Sequence, residues 1–205
     1  MIRNFSDITF TKDVKAAQEK YGSREMYEKV TSRMTEENRI TPREEKLIQK
    51  INGYYMATTN ADGWPYVQFR GGPTGFLKVL DDQTIGYADF RGNMQYISVG
   101  NITASLKTAL ILMHYPTKTR LKIWAETEIL DPAEHPELAE KLIEEQYDAV
   151  VERLVIYHIK AISWNCPQHI TPRYTIEEFK EILPHYPEII DDYCSNQMKD
   201  KKEST

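Results

Sequence analysis

The chain is poor in cysteine, has no long apolar run and carries no large charge of either sign, and each shortage removes a class of protein. Its two cysteines, Cys166 and Cys194, cannot build a disulfide framework or a four-cysteine metal site, so the expected location is the cytoplasm. The best apolar run, Ala109-Leu110-Ile111-Leu112-Met113, is strand length, whereas a membrane helix needs roughly 20 such residues. Met1 to Asp7 has no apolar signal-peptide core. With 26 Lys+Arg against 31 Asp+Glu, the net charge is −5 over 205 residues. That imbalance is too small to enforce disorder, and its sign disfavours broad attachment to nucleic acid or to an anionic membrane. Any anion must be held by a local cluster.

The common catalytic signatures are missing too. There is no Gly-x-Gly-x-x-Gly between a strand and a helix, no phosphate-loop Gly-Lys-Ser/Thr, no His-Glu-x-x-His and no Gly-x-Ser-x-Gly. The five histidines, His114, His135, His158, His169 and His185, have no metal-ligand spacing, so no metal is expected. His114 and His158 fall inside expected strands and read as structural, and Cys166 has no identified base partner.

What is present is a core of ordinary size, with 40% of residues hydrophobic, enough for one globular domain. The first fifty residues are helix-prone: Val14, Ala17 and Tyr21, then Met26, Tyr27, Val30 and Met34, recur at helical spacing around Gly22-Ser23. Thr41-Pro42-Arg43-Glu44-Glu45 has the form of a capped helix start, Leu47, Ile48 and Ile51 give that helix its buried face, and Asn52-Gly53 is expected to end it. From Tyr54 the pattern becomes that of strands: 54–59 and 65–70 form a hairpin, then 76–80, 84–88, 109–115, 120–130 and 150–164 follow. A short helix is expected up to Ser105 and another from Asp131-Pro132 to about Tyr147. Short strands with hairpin turns, interrupted by helices, indicate an antiparallel barrel with peripheral helices.

Two segments concentrate chemistry. In the first, Gln68 to Gly75 is continued one hairpin later by Ala88 to Gln95. Arg70 and Arg91 stand at strand ends beside glycines, where a guanidinium fork and close backbone approach suit a phosphate. Arg91-Gly92-Asn93 also precedes a helix whose N-terminus favours the same anion. Equally, Gly71-Gly72-Pro73 could form a barrel corner with both arginines solvated. The second segment is Ser163-Trp164-Asn165-Cys166-Pro167-Gln168-His169-Ile170, a large aromatic followed by amides and a histidine. It could line a planar heterocycle, or Trp164 could cap the barrel core.

In order along the chain, Tyr66 to Phe76, Ala88 to Tyr96, Ser98-Val99-Gly100-Asn101 and Trp164 to Ile170 resemble the pyridoxamine 5'-phosphate oxidase-related FMN-binding proteins. The likeness runs from about residue 40 to 180. It implies a mainly β, antiparallel split β-barrel, an FMN-binding domain over 41–180; the helical N-terminal extension over 1–40 lies outside the likeness, and a C-terminal tail over 181–205 follows. It further implies a homodimer with FMN at the interface. Gln68, Phe69 and Arg70 would lie along the ring and ribityl chain, and Phe90, Arg91, Gly92 and Asn93, with Gln95 behind them, would hold the phosphate. Arg120, Trp164, Asn165, Gln168 and His169 would close the site, partly from the second subunit. The Arg/Lys pair and the Arg-rich C-terminal segment of true pyridoxamine phosphate oxidases are replaced here by Arg91-Gly92-Asn93 and Trp-Asn-Cys-Pro-Gln-His. FMN binding is therefore expected without oxidation of pyridoxamine phosphate. The resulting expectation is an FMN-dependent oxidoreductase taking a hydride at the flavin N5 from a small donor such as NAD(P)H. The competing readings are a flavin carrier or sensor without turnover, and a barrel that holds haem or a deazaflavin instead.

Overall fold

The computed structural model describes residues 4–33 and 38–185. They fall into two compact units, one of residues 4–33, 38–114 and 119–167 and a smaller one of residues 115–118 and 168–185. Met34, Cys194 and the Lys-rich end of the tail lie outside the described residues.

The larger unit is built on one seven-stranded sheet. Its strands are β1 (Gly53–Thr59), β2 (Pro65–Gly71), β3 (Lys78–Asp81), β4 (Thr84–Phe90), β5 (Lys107–His114), β6 (Thr119–Leu130) and β7 (Val151–Asn165). They run in the spatial order β2-β1-β5-β6-β7-β4-β3, and every pairing is antiparallel. The sheet curls on itself. Tyr54 on β1 and Tyr157 on β7 are separated in the sheet by β5 and β6, yet their hydroxyls meet at 2.9 Å. Edge strands β2 and β3 do not pair with each other among the described residues, so the barrel is split, as expected.

The long strand β6 alternates between core and surface. On β6, Leu121, Ile123, Ala125 and Thr127 are buried, while the residues between them face outward. The main core joins Leu121, Ile123 and Ala125 to Tyr54, Phe76, Tyr87 and Tyr157, and to Leu47, Ile48 and Ile51. The three core tyrosines are satisfied by one another and by their neighbours. Tyr157 also donates to Met56 Sδ at 3.1 Å, and Tyr87 donates to Asp89 Oδ1 at 3.2 Å. Burial holds the ionisation of all three above the ordinary phenolic range, so they remain neutral groups of the core.

Among the described residues, four helices precede the first strand, beginning with α1 (Phe5–Thr9), α2 (Lys12–Lys20) and α3 (Arg24–Arg33). Of these α1 was not legible in the sequence. Its Phe5 ring stacks on Trp124 of β6, with centroids 6.2 Å apart. Helix α4 (Pro42–Ile48) starts as expected, with a Thr41–Glu44 capping box and Pro42 in its first turn. It ends at Ile48 rather than at Asn52-Gly53, because Gly53 already belongs to β1, paired with Gly71.

Two further boundaries differ from the sequence reading. The third strand begins at Lys78, because Phe76 and Leu77 turn into the core before pairing starts. The helix expected from Asp131 to Tyr147 is only α6 (Pro136–Leu142). Asp131 forms a turn ahead of it, accepting from the Ala133 N–H at 2.8 Å. At Ile143 the backbone leaves the helix for an extended conformation, a turn follows, and Tyr147 packs on Phe90 with centroids 5.0 Å apart. Helix α5 (Ile97–Ala104) crosses the barrel near β1 and β2, where Asn101 Nδ2 donates to Thr58 Oγ1 at 3.0 Å. Among the described residues no helix is long and apolar enough to cross a membrane.

In the smaller unit, α7 (Ile176–Ile182) has its own Thr175–Glu178 capping box and is followed by a short 3-10 turn. The Arg173 guanidinium lies over the Tyr115 ring, 5.2 Å from its centroid.

Candidate functional site

The inner face of β2, the end of β4 and the start of β7 bring three arginines onto two carboxylates. Alternation on β2 turns Tyr66, Gln68 and Arg70 toward the side where β1 buries Thr58, Met56 and Tyr54. Arg70 Nη1 there reaches Asp89 Oδ1 at 3.1 Å, bridging from the sheet edge to β4. Asp89 is nearly fully buried, and its second oxygen accepts from Arg153 Nη1 on β7 at 2.6 Å. Arg153 in turn donates to Glu152 Oε2 at 2.6 Å, and Glu152 Oε1 accepts from Arg91 Nε at 3.0 Å and from the Tyr96 hydroxyl at 3.2 Å. Arg153 also lies over the Tyr96 ring, 5.1 Å from its centroid.

Three guanidiniums against two carboxylates leave one positive charge in surplus within a chain that is acidic overall. Arg70 Nε, moreover, is buried with no hydrogen-bond partner. Burial works against the charges on Arg70 and Arg153, but their neighbours outweigh it and both pKa values move up. For Glu152 the Arg91 hydrogen bond, with help from Arg153 and Tyr96, holds the carboxyl below its usual range. Each of these three shifts favours the charged form of its group.

The loop from β4 to α5 borders this cluster. Met94 and Tyr96 both have positive φ, 57° and 54°, in the left-handed region where non-glycine residues are uncommon. Tyr96 is the residue ahead of α5, and no side chain caps the helix there. Asn93 Oδ1 accepts from the Gln95 N–H at 3.1 Å, which fixes the turn, and a Cβ at Gly92 would meet nothing within 4 Å. Ser98 Oγ on α5 lies 3.4 Å from Gln68 Oε1. Gln68, Arg70, Arg91, Gly92, Asn93 and Gln95 thus belong to one neighbourhood. Its surplus charge, unpartnered guanidinium nitrogen and uncapped helix end fit a phosphate monoester.

Two residues expected in that neighbourhood do other work. The Phe69 ring fills the space left by two glycines: a Cβ on Gly53 would lie 2.2 Å from it, and one on Gly71 2.8 Å. It also meets Tyr55 edge-on with centroids 5.4 Å apart, on the outer face of the sheet. The absent Cβ atoms of Gly53 and Gly71 are thus used by packing, and Gly72 likewise leaves room for Phe76. Phe90 belongs to β4 itself and packs against both hydrophobic cores.

The remaining expected residues form separate groups. Arg120 and Asn165 are register partners on β6 and β7, and Arg120 Nε and Asn165 Oδ1 are both buried without partners. Trp164 packs on the main core, its indole N–H donates to Glu44, and the Arg43 guanidinium lies 4.1 Å from its ring centroid. Burial raises the Glu44 carboxyl, but hydrogen bonds from Thr41 and Trp164 outweigh it and hold the group below its usual range. In the sheet, β1 and β5 separate this corner from β2. Gln168 and His169 belong to the smaller unit, where both are exposed and His169 has a φ of 62°.

Sequence reasoning missed Glu152 and Arg153, and it did not give Asp89 a role. Their signal is the charged pair Glu152-Arg153 just ahead of the apolar run Leu154-Val155-Ile156-Tyr157; what hid it is a break in the register of β4 against β7.

The comparisons with known proteins come down to one family and a set of distant structures. The family model described as pyridoxamine 5'-phosphate oxidase matches residues 40–170. No curated protein matches. Among solved structures, one from Lactobacillus delbrueckii, provisionally named a pyridoxamine 5'-phosphate oxidase, is 23% identical with a TM-score of 0.47 and covers 62% of this chain and 94% of its own. HupZ from Group A Streptococcus is 18% identical with a TM-score of 0.47, covering 66% and 99%. An FMN-binding protein from Syntrophomonas wolfei is 14% identical with a TM-score of 0.45, covering 60% and 83%. At these levels the structural likenesses carry no functional argument.

Proposed function

The chain belongs to the pyridoxamine 5'-phosphate oxidase family, and from that premise we propose that it is a flavoprotein binding FMN, and an oxidoreductase that uses it. The observation that carries this reading is the arginine cluster, with one cation in surplus and Arg70 Nε unpartnered beside the uncapped start of α5. Arg91 and the turn held by Asn93 would grip the phosphate, Arg70 would reach it from β2, and Gln68 would offer its amide to the remainder of the molecule. Bound FMN would supply hydride acceptance from a reduced donor such as NAD(P)H; the chain's part is to position it and shield it.

A homodimer belongs to the same proposal. The outer face of β2, β1 and β5 is apolar, with Val67 61% and Phe69 54% exposed beside Tyr55 and Ile111. A second copy covering that face would remove it from water and bring Arg120 and Asn165, with their unpartnered atoms, toward a shared site. The cytoplasm remains the location this reading favours.

The test is the absorption spectrum of the purified protein after incubation with FMN, followed by anaerobic addition of NADH or NADPH. Flavin bands that bleach on addition are the expected result. Flavin bands that resist every small reductant would leave a carrier or sensor, a Soret band would replace FMN with haem, and failure to take up FMN would overturn the reading. Sedimentation as a monomer with flavin bound would remove the dimer.

A further inference from the structure

The register of β4 against β7 breaks beside the arginine cluster. Asp89 lies opposite Arg153, but the next residue, Phe90, lies opposite Val151, so Glu152 is left without a partner on β4. Such a bulge turns a strand locally and re-aims a side chain. In a regular strand neighbouring side chains point to opposite faces. Here the carboxylate of Glu152 and the guanidinium of Arg153 meet at 2.6 Å, although the two residues are adjacent in sequence.

Glu152 consequently collects two guanidiniums and a phenol, from Arg153, Arg91 and Tyr96. That is the donor set a phosphate would take: charged forks and a hydroxyl converging on an anion. Its side chain is 11% exposed, while that of Arg91 is 56% exposed, so the carboxylate is fixed and its outer arginine is within reach of solvent. Carboxylate and phosphate compete for the same donors.

We infer that Glu152 is an internal stand-in for the ligand's phosphate, holding Arg91 and Arg153 in place until an anion takes them over. It keeps the arginines ordered and lowers the affinity of the site below what they would give alone. Arg153 is on this account a third phosphate-holding cation, beside Arg70 and Arg91. The ligand's identity rests on the FMN reading; the exchange of one anion for another does not.

Binding of FMN, riboflavin and inorganic phosphate to the full-length wild type and to Glu152→Gln, measured by calorimetry, tests the inference. The neutral amide should tighten FMN and phosphate by about two- to fivefold, the range of a partly exposed charge pair, and leave riboflavin, which has no phosphate, unchanged. Glu152→Asp, one methylene shorter, should move in the same direction by less and serves if the amide does not fold. FMN and phosphate affinities that stay the same or fall in both variants would reduce Glu152 to a strand-pinning ion pair and overturn the inference, while the flavin reading stands if the wild type binds FMN. Phosphate that tightens in a protein unable to take FMN would uphold the inference and sink the flavin reading.

Discussion

Two carboxylate sites in this chain sit among arginines and aromatic rings, and they are finished to different degrees. Glu44, in the corner where α4 meets the end of β7, accepts from the Thr41 backbone at 3.0 Å, from the Thr41 hydroxyl and from the Trp164 indole. The Arg43 guanidinium lies over the same indole. All three of those donors come from the chain itself and are neutral. At Asp89 and Glu152 three cations share two anions, and a buried guanidinium nitrogen has no partner. A closed network of neutral donors holds a fold together, whereas an unbalanced one leaves donors for a ligand. Trp164 and Arg91, which resemble each other as pocket linings in the sequence, separate on that distinction.

The largest effect should come from the closed corner. Trp164→Ala, which empties a site packed on the main core, is expected to cost about 3 kcal/mol of stability in urea unfolding; a loss below about 1 kcal/mol would remove the contrast by making the corner dispensable. Arg91→Ala should behave oppositely. Its ion pair is half exposed, so ligand-free stability should change by less than about 1 kcal/mol, while FMN binding weakens by about 1.5–3 kcal/mol, the loss of a charged hydrogen bond. Unchanged FMN affinity in titration would take Arg91 out of the site. The smallest effect belongs to Glu44→Gln, about 1 kcal/mol near neutral pH. A carboxyl held below its usual value stabilises the fold above its unfolded pKa and loses that contribution as pH falls through the folded value. The gap between wild type and variant should therefore shrink as pH drops below 4.5, and a gap constant with pH would contradict the assignment.

Much of the architecture was legible because one rule decided it at each point. Strict alternation on β6 fixed which face is buried, and Thr41-Pro42-Arg43-Glu44 marked the start of α4. Where two rules competed, the sequence could not arbitrate. Leu138, Leu142 and Tyr147 suit a long helix, but Tyr147 is drawn to Phe90 by tertiary packing and the helix stops at Leu142. Phe69 could have faced a ligand as readily as the gap left by two glycines on neighbouring strands. For the site, glycines beside strand-end arginines pointed to Arg70 and Arg91. Arg153 and Glu152 escaped because a bulge places adjacent residues in one network, and nothing in Val151-Glu152-Arg153 announces an interrupted register.

The central claim is that the arginine cluster holds the phosphate of a flavin, and the ratio of FMN to riboflavin affinity in the wild-type protein tests it most directly. Both molecules carry the same ring and ribityl chain, so the ratio isolates the phosphate. FMN should bind at least about tenfold more tightly, the scale of a single charge-assisted contact. Equal affinity for the two would contradict the account.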